Sequence, residues 1–129
     1  MSERQRIFSG SELEGRYGYC RAVVVANRVI VSGTAPIWPD GECNPDAGVQ
    51  ARRCLEIIEV ALTEAGSSLN DVVRTRMFVT DASLQEAVGA EHALCFSGNP
   101  PATSMVVVAG LLDERWKVEI EAEAITASK

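Results

Sequence analysis

The clearest pattern lies near the C-terminus. There Val118, Ile120, Ala122 and Ala124 alternate strictly with Glu119, Glu121 and Glu123. A period of two puts the apolar set on one face of a strand and the three carboxylates on the other. Just before it, Pro100-Pro101 leads into Ala102-Thr103-Ser104-Met105-Val106-Val107-Val108, a run rich in β-branched residues. Such a run predicts a strand buried on both faces. Three carboxylates side by side repel one another unless water or basic groups face them. Their face is therefore either wet or lines something, and both readings stay open.

Upstream the same reasoning predicts the remaining elements. Arg4 to Ser9 reads as a short strand and Gly10 to Gly18 as a loop. Tyr19 to Val25 and Arg28 to Ser32 read as a hairpin turning at Ala26-Asn27, where Asn27 tolerates positive φ. Gly33 ends that strand. Thr34 to Pro45 is a loop carrying the turn signal Pro39-Asp40-Gly41. Trp38, in its middle, either packs back onto the core or walls a pocket.

Ala47 to Ala65 predicts a helix, with Asp46 as N-cap and Gly66 just past its end. Cys54, Ile57, Ile58, Ala61, Leu62 and Ala65 form its buried stripe, and Arg52 with Glu56 forms an i,i+4 pair. Val72 to Thr80 is the next strand, with Arg74, Arg76 and Phe78 on one face. Ser83 and Glu86 read as a capping box opening a second helix. Leu84, Val88, Glu91 and Cys95 trace one line on it, with Ala87, Leu94 and Phe96 alongside. That helix ends before Gly98-Asn99-Pro100-Pro101.

Two helices against one mixed six-stranded sheet make an α+β two-layer sandwich, a single domain over residues 1–129. Helices on one face leave the other face open, which predicts a closed homo-oligomer.

Composition narrows the function classes. The chain is 47% hydrophobic and 23% charged, in the globular range. It holds no apolar run near the roughly 20 residues that span a bilayer. Met1 to Arg6 leads into no signal-peptide core, so the expected location is cytoplasmic. A net charge of −6 disfavours nucleic-acid partners. Cys20, Cys43, Cys54 and Cys95 match no zinc spacing and are expected as free thiols, with no metal. The single histidine, His92, lies three residues before Cys95. A Cys–His nucleophile is disfavoured there, because a helix C-terminus opposes a thiolate. Glu119, Glu121 and Glu123 remain the best candidates for acid–base work. The competing reading is a cross-strand ladder with Arg74 and Arg76.

Four segments together resemble the RidA/YjgF family: Val31-Ser32-Gly33-Thr34-Ala35-Pro36, Ala61 through Thr75, Pro101-Ala102-Thr103-Ser104, and Val118-Glu119-Ile120-Glu121-Ala122. Order and spacing match from about Tyr19 to Ala124. The resemblance implies a chorismate-mutase-like fold and a homotrimer whose sheets line a central barrel. Small-molecule ligands are expected in clefts between subunits. It implies hydrolysis of reactive enamines and imines without a cofactor.

By position, the resemblance assigns Glu119 to catalysis, orienting water for attack at the imine carbon. It assigns ligand binding to Tyr19, Ser32, Gly33, Thr103, Ser104 and Met105. One departure stands out: the family arginine that clamps a substrate carboxylate is Thr103 here. Threonine donates one neutral bond, so an imino acid anion is expected to bind roughly 10²- to 10³-fold more weakly. Arg16, Arg21 and Arg115 are the candidate substitutes. The alternatives are a non-catalytic trimeric small-molecule binder or regulator and, third, an endoribonuclease or translation inhibitor.

Overall fold

A computed structural model of the chain describes residues 4–127; the leader reading at Met1 to Glu3 lies outside that range. Six strands form one mixed sheet: β1 (Arg4–Ile7), β2 (Ala22–Val25), β3 (Arg28–Thr34), β4 (Val72–Val79), β5 (Ala102–Val107) and β6 (Val118–Ile125). Their order is β1-β2-β3-β6-β4-β5, antiparallel throughout except for the parallel β4–β5 pair. The helices are α1 (Glu12–Tyr17), α2 (Ala47–Glu64) and α3 (Gln85–Phe96). Helix α2 packs on β3 and β6, and α3 packs beside it.

The alternation in β6 is what the sheet is built on. Val118, Ile120, Ala122 and Ala124 are each no more than 2% exposed, and they meet α2. The strand sits centrally, with Ala122 opposite Val31 of β3 and Ile120 opposite Met77 of β4. Ile58 and Leu62 of α2, Phe96 of α3 and Met77 of β4 complete the core around it. Fully burying each such side chain contributes roughly 1.5–3 kcal/mol.

Helix α2 follows its predicted caps. Asp46 accepts a hydrogen bond from the Val49 N–H at 3.0 Å. At the other end Gly66 takes φ +80°, the Gly66 N–H donates to Thr63 O at 3.1 Å, and Ser67 N–H donates to Leu62 O at 2.8 Å. That is a Schellman closure, which needs a residue at ease in the left-handed region.

Several local expectations are corrected. Gly10 to Gly18 is not all loop: Ser11 caps α1 and Gly18, at φ +76°, terminates it. The hairpin strand begins at Ala22 rather than Tyr19, and the turn residue with positive φ is Ala26, not Asn27. Strand β3 runs past Gly33 to Thr34, with an irregularity between Val31 and Thr34. Arg52 reaches across to Glu91 of α3 in a two-bond pair, and Arg53, not Arg52, contacts Glu56. Asp81, accepting from Ser83 N–H, caps the turn before α3, so the Ser83–Glu86 box does not form. Leu94 is 78% exposed. Strand β5 is the sheet's edge and is mostly exposed in the single chain, not buried on both faces. Its apolar run marks a surface rather than a core.

Candidate functional site

The three glutamates of β6 share a face but not an environment. Glu121 bonds Arg76 at 2.8 Å and Glu123 bonds Arg28 at 2.8 Å. The ladder therefore exists, with Arg28 in the place expected for Arg74. Glu119 is opposite Phe78 and pairs with no cation among the described residues. It is half-buried, and burial raises its carboxyl above the ordinary value; the charge of Arg21 opposes that shift and Glu121 adds to it.

What makes room for Glu119 is Gly33. A Cβ built on Gly33 would overlap Glu119 Oε2. The irregularity of β3 between Val31 and Thr34 falls at this spot. Arg21 braces it, its Nη2 donating to Gly33 O at 2.7 Å, while its Nε is buried without a partner among the described residues. Ser32 ties the neighbouring segment down: its N–H donates to Arg21 O at 2.9 Å and its hydroxyl to Cys20 O at 2.7 Å. Tyr19, one residue earlier, is exposed, with its N–H donating to Glu14 O at 3.0 Å. Ser32, Gly33, Glu119 and the Tyr19–Arg21 segment are thus brought into one neighbourhood.

The start of β6 is fixed by a residue that sequence reasoning passed over. Gln50 of α2 is fully buried. Its amide donates to Asn44 O at 2.7 Å and Arg115 O at 3.0 Å, and its Oε1 accepts from Lys117 N–H at 2.8 Å. Two residues on from Lys117 lies Glu119. A glutamine inside an otherwise apolar helical stripe was the available signal.

Thr103, Ser104 and Met105 do not join Glu119 within one chain. Thr103 is opposite Thr75, Ser104 opposite Arg76 and Met105 opposite Met77. Thr75 and Met77 are core-facing, so Thr103 and Met105 lie on the helix face and Ser104 on the glutamate face. Glu119 is two strands and three residues from Thr103, about 14 Å along the sheet and on the other side. On the helix face Thr103 meets a different group. Its Oγ1 is 2.8 Å from Thr75 Oγ1, which is 2.7 Å from His92 Nε2. His92 sits four residues from Val88 and from Phe96, both buried, and that i,i+4 spacing was the sequence signal for its inward face.

Of the candidate substitute arginines, Arg115 is held by Asp113 at 2.8 Å and Arg16 lies over the Tyr17 ring, 5.3 Å from its centroid. Arg21 is the one beside Glu119. It also lines a groove of about 770 Å³ with Phe8, Trp38, Arg53, Ile57 and Glu64, so Trp38 walls a pocket. A smaller cavity of about 280 Å³ lies on the glutamate face, among Ile30, Ser32, Arg74, Arg76 and Glu121. The four cysteines are free. Among the described residues no helix is long and apolar enough to cross a membrane.

The α+β sheet with helices on one face is shared with proteins of known family. The family model described as Endoribonuclease L-PSP matches residues 9–126. A 2-iminobutanoate/2-iminopropanoate deaminase of Escherichia coli K12 is 35% identical over 111 residues, covering 83% of this chain and 86% of the relative. A RutC family protein of Haemophilus influenzae is 38% identical over 116 residues, covering 86% and 87%. Among solved structures, Rv2704 of Mycobacterium tuberculosis, described as a YjgF/YER057c/UK114 family member, superposes with a TM-score of 0.89. It is 44% identical, over 96% of this chain and 100% of that one. The YjgF gene product of Escherichia coli gives 0.79 at 34% identity, over 84% and 88%. The chain belongs to the RidA/YjgF family.

Proposed function

We propose that the chain is a hydrolase of reactive imines or enamines, working in clefts between the subunits of a cytoplasmic homotrimer. The observation that carries the reading is Glu119: a half-buried carboxylate, unpaired among the described residues, with a raised pKa, held against Gly33. A carboxylate so placed takes a proton from water as the water oxygen bonds to the imine carbon. The nitrogen is protonated in turn, the C–N bond breaks, and ammonia and a carbonyl product leave. No cofactor enters these steps.

The trimer is supported by what the single chain leaves uncovered. Val106 and Val107 on the β5 edge are 42% and 55% exposed, and Ile30 on the open face is 41% exposed. Unpaired edges and apolar sheet faces are normally covered. In such an assembly a neighbour's β5 would bring Thr103, Ser104 and Met105 to Tyr19, Ser32, Gly33 and Glu119, which a single chain keeps apart.

Thr103 also favours a second reading, a trimeric binder or regulator that kept the cleft without the chemistry. The two separate in one assay. Imines generated in situ from amino acids are mixed with the protein, and semicarbazone formation is followed. Turnover that Glu119→Gln abolishes supports the hydrolase. No acceleration over buffer, together with a ligand that raises the melting temperature of the assembly, supports the binder. The word endoribonuclease in the family description transfers poorly, since the net charge is −6 and the only histidine is bonded to Thr75.

A further inference from the structure

The sole histidine of the chain is joined through two hydroxyls to an exposed point on the sheet edge. His92 Nε2 is 2.7 Å from Thr75 Oγ1, and Thr75 Oγ1 is 2.8 Å from Thr103 Oγ1. Thr75 is fully buried, whereas Thr103 is exposed. Each hydroxyl has one proton to donate, so the sense of the whole chain is set at His92. When Nε2 lacks a proton it accepts from Thr75, Thr75 accepts from Thr103, and Thr103 offers only lone pairs outward. When Nε2 carries a proton both bonds reverse. The Thr103 proton is then free to point outward, because its alternative acceptor, Pro101 O, is 3.4 Å away. A protonated ring permits only the second sense.

We propose that His92, acting through Thr75, sets a titratable positive charge behind the Thr103 hydroxyl, so that this edge of the sheet binds a carboxylate or other oxyanion more tightly as pH falls. The inference rests on the reading of Thr103 as part of the ligand cleft. His92 is here a positioning residue, since only Thr103 touches the ligand.

The surroundings leave His92 free to play this part. Burial lowers its pKa, so the ring is neutral when the site is empty near pH 7. On α3, Glu91 is held by Arg52 of α2, and Cys95 is a half-buried thiol whose pKa burial raises, with Glu59 of α2 and Glu91 adding to the shift. Asp71, in the 3₁₀ turn packed against α3, accepts from the Ser67 hydroxyl, and Asp81, in the turn before α3, accepts from Ser83 N–H. Among the described residues no carboxylate bonds the ring, so an oxyanion at Thr103 is the partner its charge would meet.

A charge about 8 Å from an anion near a protein surface, screened at ordinary ionic strength, is worth roughly a tenfold change in affinity. Linkage makes that factor reciprocal: saturating ligand raises the His92 pKa by about one unit. Being the only histidine, His92 gives an unambiguous imidazole nitrogen signal. The full chain is titrated by NMR with and without 2-oxobutanoate, the keto acid corresponding to the imino acid in the Escherichia coli relative's name, and its affinity is measured across pH.

The expected result is a raised His92 pKa with ligand bound, and about tenfold tighter binding below that pKa than above it. In His92→Gln the part of the dependence that follows the His92 titration is lost while any part that follows Glu119 remains, which separates the two. In Thr75→Val it shrinks, and Thr75→Ser restores it. Thr103→Val, at an exposed site, checks the outer end if the buried variant fails to fold. Saturable binding that leaves the His92 titration unmoved overturns the proposal alone. Absence of saturable binding at every pH overturns the cleft reading with it.

Discussion

Glu119 and Glu121 are two residues apart on one strand and one face, yet the fold treats them oppositely. Glu121 meets Arg76 at 2.8 Å on a side of the sheet open enough for both side chains to stay more than a third exposed. Glu119, nearer the end of the sheet, finds Phe78 across the strand and a glycine on the other side. One carboxylate is compensated; the other has no partner among the described residues, and burial disfavours its ionised form. A strand that is uniform in sequence thus yields a surface ion pair and a candidate base. The difference comes from the neighbouring strands, not from β6.

The largest expected effect tests this division directly. Glu119→Gln should lower imine turnover by about 10²- to 10⁴-fold, the usual worth of a positioned general base. Glu121→Gln should leave it within about threefold. Equal losses in the two variants, read by semicarbazone formation, would erase the distinction.

Gly33→Ala sharpens the comparison without touching either glutamate. The added methyl would occupy the position of Glu119 Oε2. The carboxylate is the far end of a flexible side chain, so it can swing aside at small cost in stability. Turnover should fall about 10²-fold, as misplacement by about 1 Å does elsewhere, with the melting temperature little changed. A stable Gly33→Ala variant with full activity would show that the close approach serves nothing.

The pKa of Glu119 gives a third handle, and its sign is fixed. Burial raises the folded value above the ordinary 4.5. The protonated form is therefore favoured by the fold: stability from this group is complete below about pH 4.5 and is lost as pH rises through the folded value. Glu119→Gln, which cannot ionise, should be more stable than the parent at pH 7 and match it near pH 4. Urea unfolding at the two pH values measures this. A variant less stable at pH 7 than its parent would mean that Glu119 has a partner after all.

These tests bear on how much was legible in the sequence. The alternation of β6 and the Asp46 and Gly66 caps of α2 are local patterns, and periodicity finds them; the Arg–Glu ladder was half legible, since Arg76 takes its expected place and Arg28 stands where Arg74 was expected. Glu119 stood out from its two neighbours only through family resemblance, because register against β3 and β4 is a tertiary fact. The helix-face position of Thr103 depends on parallel pairing of β5 with β4, which no local signal announces. The buried strand expected from the valine run failed for a related reason: hydrophobicity does not say whether a strand's own chain covers it, and here it leaves β5 mostly exposed. His92 was set beside Cys95 by sequence proximity. The structure joins it to Thr75 instead, because Val88 and Phe96 fix which side of α3 faces the sheet.

The smallest effect is expected at the ladder, and it is the control that gives the rest meaning. Arg76→Ala removes the partner of Glu121, but both side chains are substantially exposed. Pairs of that kind contribute about 0.2–1 kcal/mol. A double-mutant cycle of Arg76→Ala with Glu121→Gln should return a coupling in that range, weakening as salt is added. Ligand affinity and turnover should be unchanged, since the pair is structural and Glu119 does not share it. A large loss of ligand binding with little loss of stability would reverse the assignment. It would make Arg76 the anion-holding cation of the glutamate face and Glu121 the residue it releases on binding, so the two carboxylates would have to exchange roles.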